Sequence, residues 1–198
     1  MATKTYITPK FRCSFMNVFK AVPNMSNTAN EYNVTALIPK DADLSGLKQA
    51  WDDVAKEEWG KIPPRLRPLY SRHKDDKGML GDGDRKYAEA DAEKQESYDA
   101  YRGCYTANLK SAETKPPKVV DANKDEIINV ADFKSGDYAR AVLELSSYDH
   151  KQWGPQVSVK LLVIQKLADG PAFGGGVSTA AALDMLDPAE VDPNQDLF

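Results

Sequence analysis

The sequence predicts a mainly β fold with some α: a small antiparallel barrel of five strands, with one amphipathic helix and long loops. Three observations carry this prediction. Five stretches alternate apolar and polar side chains with the period of two that a half-buried strand shows. One stretch repeats apolar residues at helical spacing. Strands and helices do not alternate in a βαβ rhythm, so a parallel sheet is not indicated.

The first stretch, Lys10 to Val22, begins by alternating. Phe11, Cys13 and Phe15 share the apolar parity, and Lys10, Arg12 and Ser14 the polar one. Pro23 to Asn30, rich in Asn and Ser, reads as a turn. Glu31 to Ile38 is a second strand, stopped by Pro39. The period then changes: Leu44, Leu47, Trp51 and Val54 recur at helical spacing, with Asp52, Asp53, Lys56 and Glu57 off that stripe. This predicts a helix of about four turns with Trp51 in the core. The run Asp41-Ala42-Asp43-Leu44 supplies an N-cap, and the helix ends near Trp59-Gly60, before Pro63-Pro64. Pro63 to Lys86 is irregular, and loops of that length in a compact domain are functional or disordered. Tyr87 to Tyr98 is strongly polar, a short exposed helix or a mobile loop.

Three further strands follow. Over Tyr101 to Lys110, Tyr101, Gly103, Tyr105, Ala107 and Leu109 alternate with Arg102, Thr106, Asn108 and Lys110; over Tyr138 to Tyr148, Ala139, Ala141, Leu143 and Leu145 with Tyr138, Arg140, Val142, Glu144 and Tyr148; and over Val157 to Gln165, Val157, Val159, Leu161 and Val163 with Ser158, Lys160, Leu162 and Ile164. Five strands with a helix between the early and late groups suit an OB-fold. The predicted organisation is one OB-fold-like body over residues 1–168, a Gly-rich linker over 169–178 and a flexible tail over 179–198.

The chain has 198 residues, 41% hydrophobic and 28% charged, enough for one buried core and too apolar for general disorder. No apolar run approaches the ~20 residues that a bilayer-spanning helix needs, so no membrane association is expected. Met1 to Tyr6 lacks the apolar segment of a signal peptide, and Cys13 and Cys104 have no metal-ligand spacing, so a reducing cytoplasm is expected. The formal net charge is −4, which taken whole argues against nucleic acid. That charge is unevenly placed. Thr179 to Phe198 holds Asp184, Asp187, Glu190, Asp192 and Asp196 and no Lys or Arg, so the tail carries −5 and the body +1. The tail closes on Leu197-Phe198. It reads either as an untied terminus or as an acidic interaction tail with an apolar hook.

Three constellations have chemical meaning. The first interleaves cations with flat side chains. Lys10, Arg12, Arg65, Arg67, Arg72, Lys74, Arg102, Lys110, Arg140 and Lys160 are candidate backbone contacts for single-stranded nucleic acid, and Tyr70, Tyr105, Tyr138, Tyr148 and Trp153 candidate stacking residues. Cations track a phosphate backbone, and rings stack bases without reading sequence. Solvated strand faces also carry Lys, Arg and Tyr without binding anything. The second, Asp121 to Asp132, spaces oxygen ligands like a calcium loop, but Glu126 stands where the turn needs Gly and Asp132 where Glu is usual. An ordinary polar connection fits as well. The third gathers Asp75, Asp76, Asp82 and Asp84 near His73, which reads as a magnesium site for phosphoryl transfer or as a solvated turn among glycines. No nucleophile elbow, P-loop or dinucleotide fingerprint is present, so neither catalysis nor a cofactor is expected.

Several segments, in order, resemble a family of bacteriophage single-stranded DNA-binding proteins. They are Phe11 to Phe19, Glu31 to Lys40, Gly81 to Asp84, Tyr101 to Asn108, Lys115 to Asp121, Ser135 to Tyr138 and Val157 to Gly175. The resemblance implies an OB-type barrel that binds single-stranded DNA with little sequence preference in phage replication and recombination. An acidic tail ending in an aromatic residue is similar to other proteins of this function. There it recruits replication enzymes and competes with DNA. By that likeness the expected partners are single-stranded DNA and, through the tail, phage or host replication and recombination proteins; a homo-oligomer is compatible. The calcium-like loop falls in a variable connection of the family. The Asp-Gly-Asp turn follows a Pro-Leu pair there, and here Tyr70 to Leu80 separates it from Pro68-Leu69. The alternatives are a recruitment protein that never touches DNA and, third, a metal-dependent phosphoryl-transfer enzyme.

Overall fold

The computed structural model describes residues 1–71, 78–171 and 173. The fold is mainly β. An eight-stranded sheet contains β1 (Thr3–Ile7), β2 (Phe11–Pro23), β3 (Asn30–Pro39), β4 (Leu80–Asp82), β5 (Cys104–Ala112), β6 (Lys118–Val120), β7 (Tyr138–His150) and β8 (Gly154–Ala168). Hydrogen bonds order it β4-β5-β3-β2-β7-β8-β6, with β1 also on β7. The edge of β7 is shared: β2 takes its start, at Tyr138 and Ala139, and β1 takes Val142 to Ser146. All pairs are antiparallel except β6 with β8. The helices are α1 (Ser45–Trp59), α2 (Gly83–Ala88) and α3 (Ala92–Gln95), with 3-10 turns at Glu96–Tyr101 and Val130–Asp132.

The five expected strands are present as β2, β3, β5, β7 and β8. They do not form a closed five-stranded barrel. β5 and β8 approach each other, but among the described residues no ladder joins them. Part of each of their edges is taken by another strand. β4 pairs with β5 over Tyr105 to Ala107, and β6 pairs with β8 over Val163 to Gln165. Both are three residues long, too short to show a period in the sequence.

The inward residues of the sheet form one core: Phe11, Cys13, Val34, Ala36, Ile38, Leu109, Leu143, Leu145, Leu161 and Ile164. α1 lies against β1 and β7 and adds Leu47, Trp51 and Val54. Its last turn closes on Gly60, whose φ of 69° is left-handed and whose N–H donates to the Lys56 carbonyl at 2.8 Å. The residue in the N-cap position is Leu44, which offers no side-chain oxygen; Asp43, just outside, accepts from the Ser45 N–H at 2.9 Å.

Two expected alternations fail, each at a bulge. Phe15 shares a parity with Phe11 and Cys13, yet it is 63% exposed with φ 44°, at a register shift between Ser14 and Asn17. In β8 the pairing moves from Val142–Val163 to Leu143–Leu161, leaving Leu162 as the extra residue. The parity therefore flips, and Ile164 is buried where Val163 was expected to be.

Candidate nucleic-acid interface

Register places the polar strand residues on one outer face. Arg12 lies opposite Leu37 and Tyr138, and Leu37 opposite Thr106; Ser14 opposes Thr35, which opposes Asn108; Asn33 opposes Lys110. The Lys10 ammonium sits over the Tyr138 ring at 5.4 Å. Lys10, Arg12, Leu37, Cys104 and Tyr138 line a shallow pocket of about 200 Å³. Tyr101 covers part of this face, its hydroxyl 2.9 Å from the Ser14 hydroxyl. Of the candidate contacts, Lys10, Arg12, Tyr138 and Arg140 therefore lie together at the start of β2 and β7, and Lys110 lies across the face on β5.

Arg12 has a second set of partners. Its Nε donates to the Gly136 carbonyl at 3.2 Å and an Nη to the Pro171 carbonyl at 2.6 Å, and its guanidinium stacks 4.2 Å from the Phe173 ring. Asp137 pins this exit. Fully buried, it accepts from Lys134 N–H at 3.0 Å and Gly170 N–H at 3.1 Å, with the Lys166 ammonium at 3.4 Å. A side chain at position 170 would meet the Gly136 carbonyl at 2.0 Å, so only glycine passes there. Three family-like segments, around Arg12, Gly136-Asp137 and Gly170-Phe173, thus converge at one point.

Tyr105 follows the inward parity. Its ring pairs with Tyr70 at 5.3 Å, and both pack against the core rather than joining Tyr138. Lys40 reaches over Tyr105 at 5.8 Å to Asp82 at 2.8 Å and Asp84 at 2.7 Å. The hydrogen bond from this ammonium is the main reason both aspartates ionise below their ordinary value. Asp82 also caps α2, accepting from Asp84 N–H at 3.0 Å, and Asp84 accepts from Gly103 N–H at 2.7 Å. These carboxylates are spent on holding strands together. Asp75, Asp76 and His73 lie outside the described residues, and among those described no cluster of His, Cys, Asp or Glu is arranged for a metal ion. Asp121, first in the calcium-like loop, accepts from the N–H groups of Asn123 at 2.8 Å and Asp125 at 2.9 Å, as a turn residue does.

The remaining candidates scatter. Arg102 pairs with Asp99 at 3.3 Å and lies over Tyr87 at 5.1 Å. Lys110 pairs with Glu31 at 3.2 Å, and Lys160 is 3.9 Å from Glu144. Arg140 donates to Gln165 Oε1 at 2.8 Å. Arg65 is exposed, and Arg67 donates to the Gly78 carbonyl at 2.7 Å. Tyr148 and Trp153 stand at the far tip of the β7–β8 hairpin, where Trp153 is 61% exposed and stacks on His150 at 4.3 Å. About 33 Å of strand separates Tyr148 from Tyr138, and Trp153 lies beyond it. Arg72, Lys74 and the tail residues Asp184, Asp187, Glu190, Asp192, Asp196, Leu197 and Phe198 lie outside the described residues. Burial pushes the Cys13 thiol up to about 12, so it is no nucleophile at neutral pH. Sequence pattern expected Phe15 inside, yet it is exposed at the register shift between Ser14 and Asn17. Only a bulge signal could have revealed it, and the sequence has none there.

The protein is of the mainly antiparallel β class, with Lys10, Arg12 and the Tyr138 ring together on one outer face of the sheet. A family model, described as that of the single-stranded DNA-binding protein of Enterobacter phage Enc34, matches residues 4–197, and the chain belongs to that family. Among solved structures, the Enc34 protein in complex with single-stranded DNA superposes with a TM-score of 0.63 at 17% identity, over 86% of this chain and 89% of that one. The same protein without that ligand in its description gives 0.58 at 20% identity, over 91% and 90%. The gp2.5 single-stranded DNA-binding protein of bacteriophage T7 gives 0.51 at 17% identity, over 100% of both chains. At these identities the likeness is one of fold. The comparison with curated proteins finds no match.

Proposed function

We propose that this chain is a sequence-non-specific single-stranded DNA-binding protein of a bacteriophage, acting in the cytoplasm of the infected cell and performing no catalysis. It shields single strands and recruits replication and recombination proteins through its acidic tail. One observation carries the reading: Lys10, Arg12 and Tyr138 are brought together on the outer face of a sheet whose family is one of single-stranded DNA-binding proteins. The Enc34 relative, solved with single-stranded DNA, supports it. Cations beside a ring offer one phosphate contact and one stacking platform in the same place.

The test is a gel shift with labelled oligo-dT, with and without an equal-length duplex competitor, repeated across salt. Binding is expected to survive the duplex and to fall with salt, with a log–log slope reduced by about 0.7 for each neutralised phosphate contact removed by substitution. No shift at low salt would leave a recruitment protein that does not touch DNA.

A further inference from the structure

Ala2 is 6% exposed and belongs to the core, whereas Met1 beside it is 83% exposed. The backbone at Ala2 is pinned between β7 and the last turn of α1. Its carbonyl accepts from the Ser147 N–H at 3.0 Å. Its nitrogen lies 2.6 Å from Glu58 Oε2 and 2.8 Å from Ser147 Oγ. Ser147 is buried, and its hydroxyl donates to the same Glu58 oxygen at 3.0 Å. Two acceptors therefore converge on one nitrogen. A peptide nitrogen has a single hydrogen, which the two must share. The contact to Glu58 is also shorter than the ~2.9 Å usual for an amide donor and nearer that of an ammonium on a carboxylate. Glu58 stands in the last turn of its helix, where the helix dipole disfavours a carboxylate and favours a cation beside it. The Met1 ammonium also reaches Glu58 Oε2, at 2.8 Å, from an exposed residue.

We propose that Glu58 and Ser147 form an ammonium site for the free α-amine of Ala2, and that Met1 is removed by a methionine aminopeptidase of the cell. Such an enzyme acts when the second residue is small, as Ala2 is. The step is a hydrolysis. The bond between the Met1 carbonyl carbon and the Ala2 nitrogen breaks, the hydroxyl of water joins the methionine carboxyl, its hydrogen joins the Ala2 nitrogen, and free methionine leaves. At neutral pH the new amine takes up a proton. It then has a hydrogen for each acceptor and already stands 2.6 Å from the carboxylate, so Ala2 need not move. Removing Met1 takes away an exposed side chain, while the buried Ala2 stays in place. The product ties the start of β1 to α1 by a charged contact, next to the Lys4–Glu57 pair at 2.8 Å that joins the same two elements.

The experiment needs no DNA, so it stands or falls apart from the binding reading. The full chain is expressed in bacteria with nothing ahead of Met1. Beside it is made a chain extended by Met-Lys ahead of Met1, whose lysine keeps the added methionine on and leaves the Ala2 nitrogen an amide. Intact mass spectrometry is expected to find the first chain lighter by one methionine residue. Glu58→Gln keeps an oxygen acceptor and removes the charge. It is expected to lower the thermal midpoint of the processed chain by several degrees and that of the extended chain by less, the difference being the coupling between ammonium and carboxylate. Retention of Met1 overturns the proposal, as does a midpoint drop in the extended chain that equals or exceeds the drop in the processed one.

Discussion

Phe15 holds a left-handed backbone that costs a bulky residue on the order of 1–2 kcal/mol, and its ring is turned to solvent rather than to the core. A position that is strained and exposed gains little from packing, so a stacking role in DNA binding is a testable use for it. Single-stranded bases stacked on such a ring gain about 1–3 kcal/mol each. Phe15→Gly is therefore expected to weaken oligo-dT binding by roughly five- to a hundredfold while leaving the unfolding midpoint within a few degrees, since glycine tolerates the positive φ. Fluorescence anisotropy and a thermal melt measure the two effects; unchanged affinity removes Phe15 from the interface. At the opposite pole is Leu143, fully buried at the centre of β7. Leu143→Ala is expected to cost about 2–5 kcal/mol in denaturant unfolding, with no specific effect on DNA beyond the lost fold.

The Lys40 clamp joins β3 to β4 and α2 through Asp82 and Asp84. Both carboxyls ionise below their ordinary value in the folded chain, so their stabilisation is fully present above the unfolded aspartate range and is lost as pH falls through the lower folded value. Lys40→Met is expected to lower the thermal midpoint at neutral pH, and the gap is expected to close as pH falls through the lowered folded value of the two aspartates, where they become protonated in the parent as well. A constant gap between the two curves down to pH 2 would exclude the clamp. The elements also mark where sequence was readable. β2, β3, β5, β7, β8 and α1 are long enough to show a period, and each was legible in the side-chain pattern. β1, β4 and β6 span five residues or fewer and owe their existence to partners about 25 to about 140 residues away in the chain, so no local pattern announces them. The basic parity of the outer face was legible for Lys10, Arg12 and Tyr138. The Tyr105–Tyr70 pairing and the bulges at Phe15 and Leu162 were not, because each depends on a partner strand's register.

Across the whole molecule, residues 1–178 carry +1 and residues 179–198 carry −5. Removing residues 179–198 is expected to tighten oligo-dT binding several-fold at low salt, with the advantage shrinking as salt screens both charges. Equal affinity with and without the tail, measured by titration at low ionic strength, would remove the tail from DNA regulation. β1 sets a different constraint. β1 is made first, yet its partner is the middle of β7: Thr3 lies opposite Ser146. Closing a loop of about 140 residues carries a heavy entropy cost and slows folding. β1 therefore has no partner until β7 has been made, whereas β2, β3 and β5 can pair among themselves well before that.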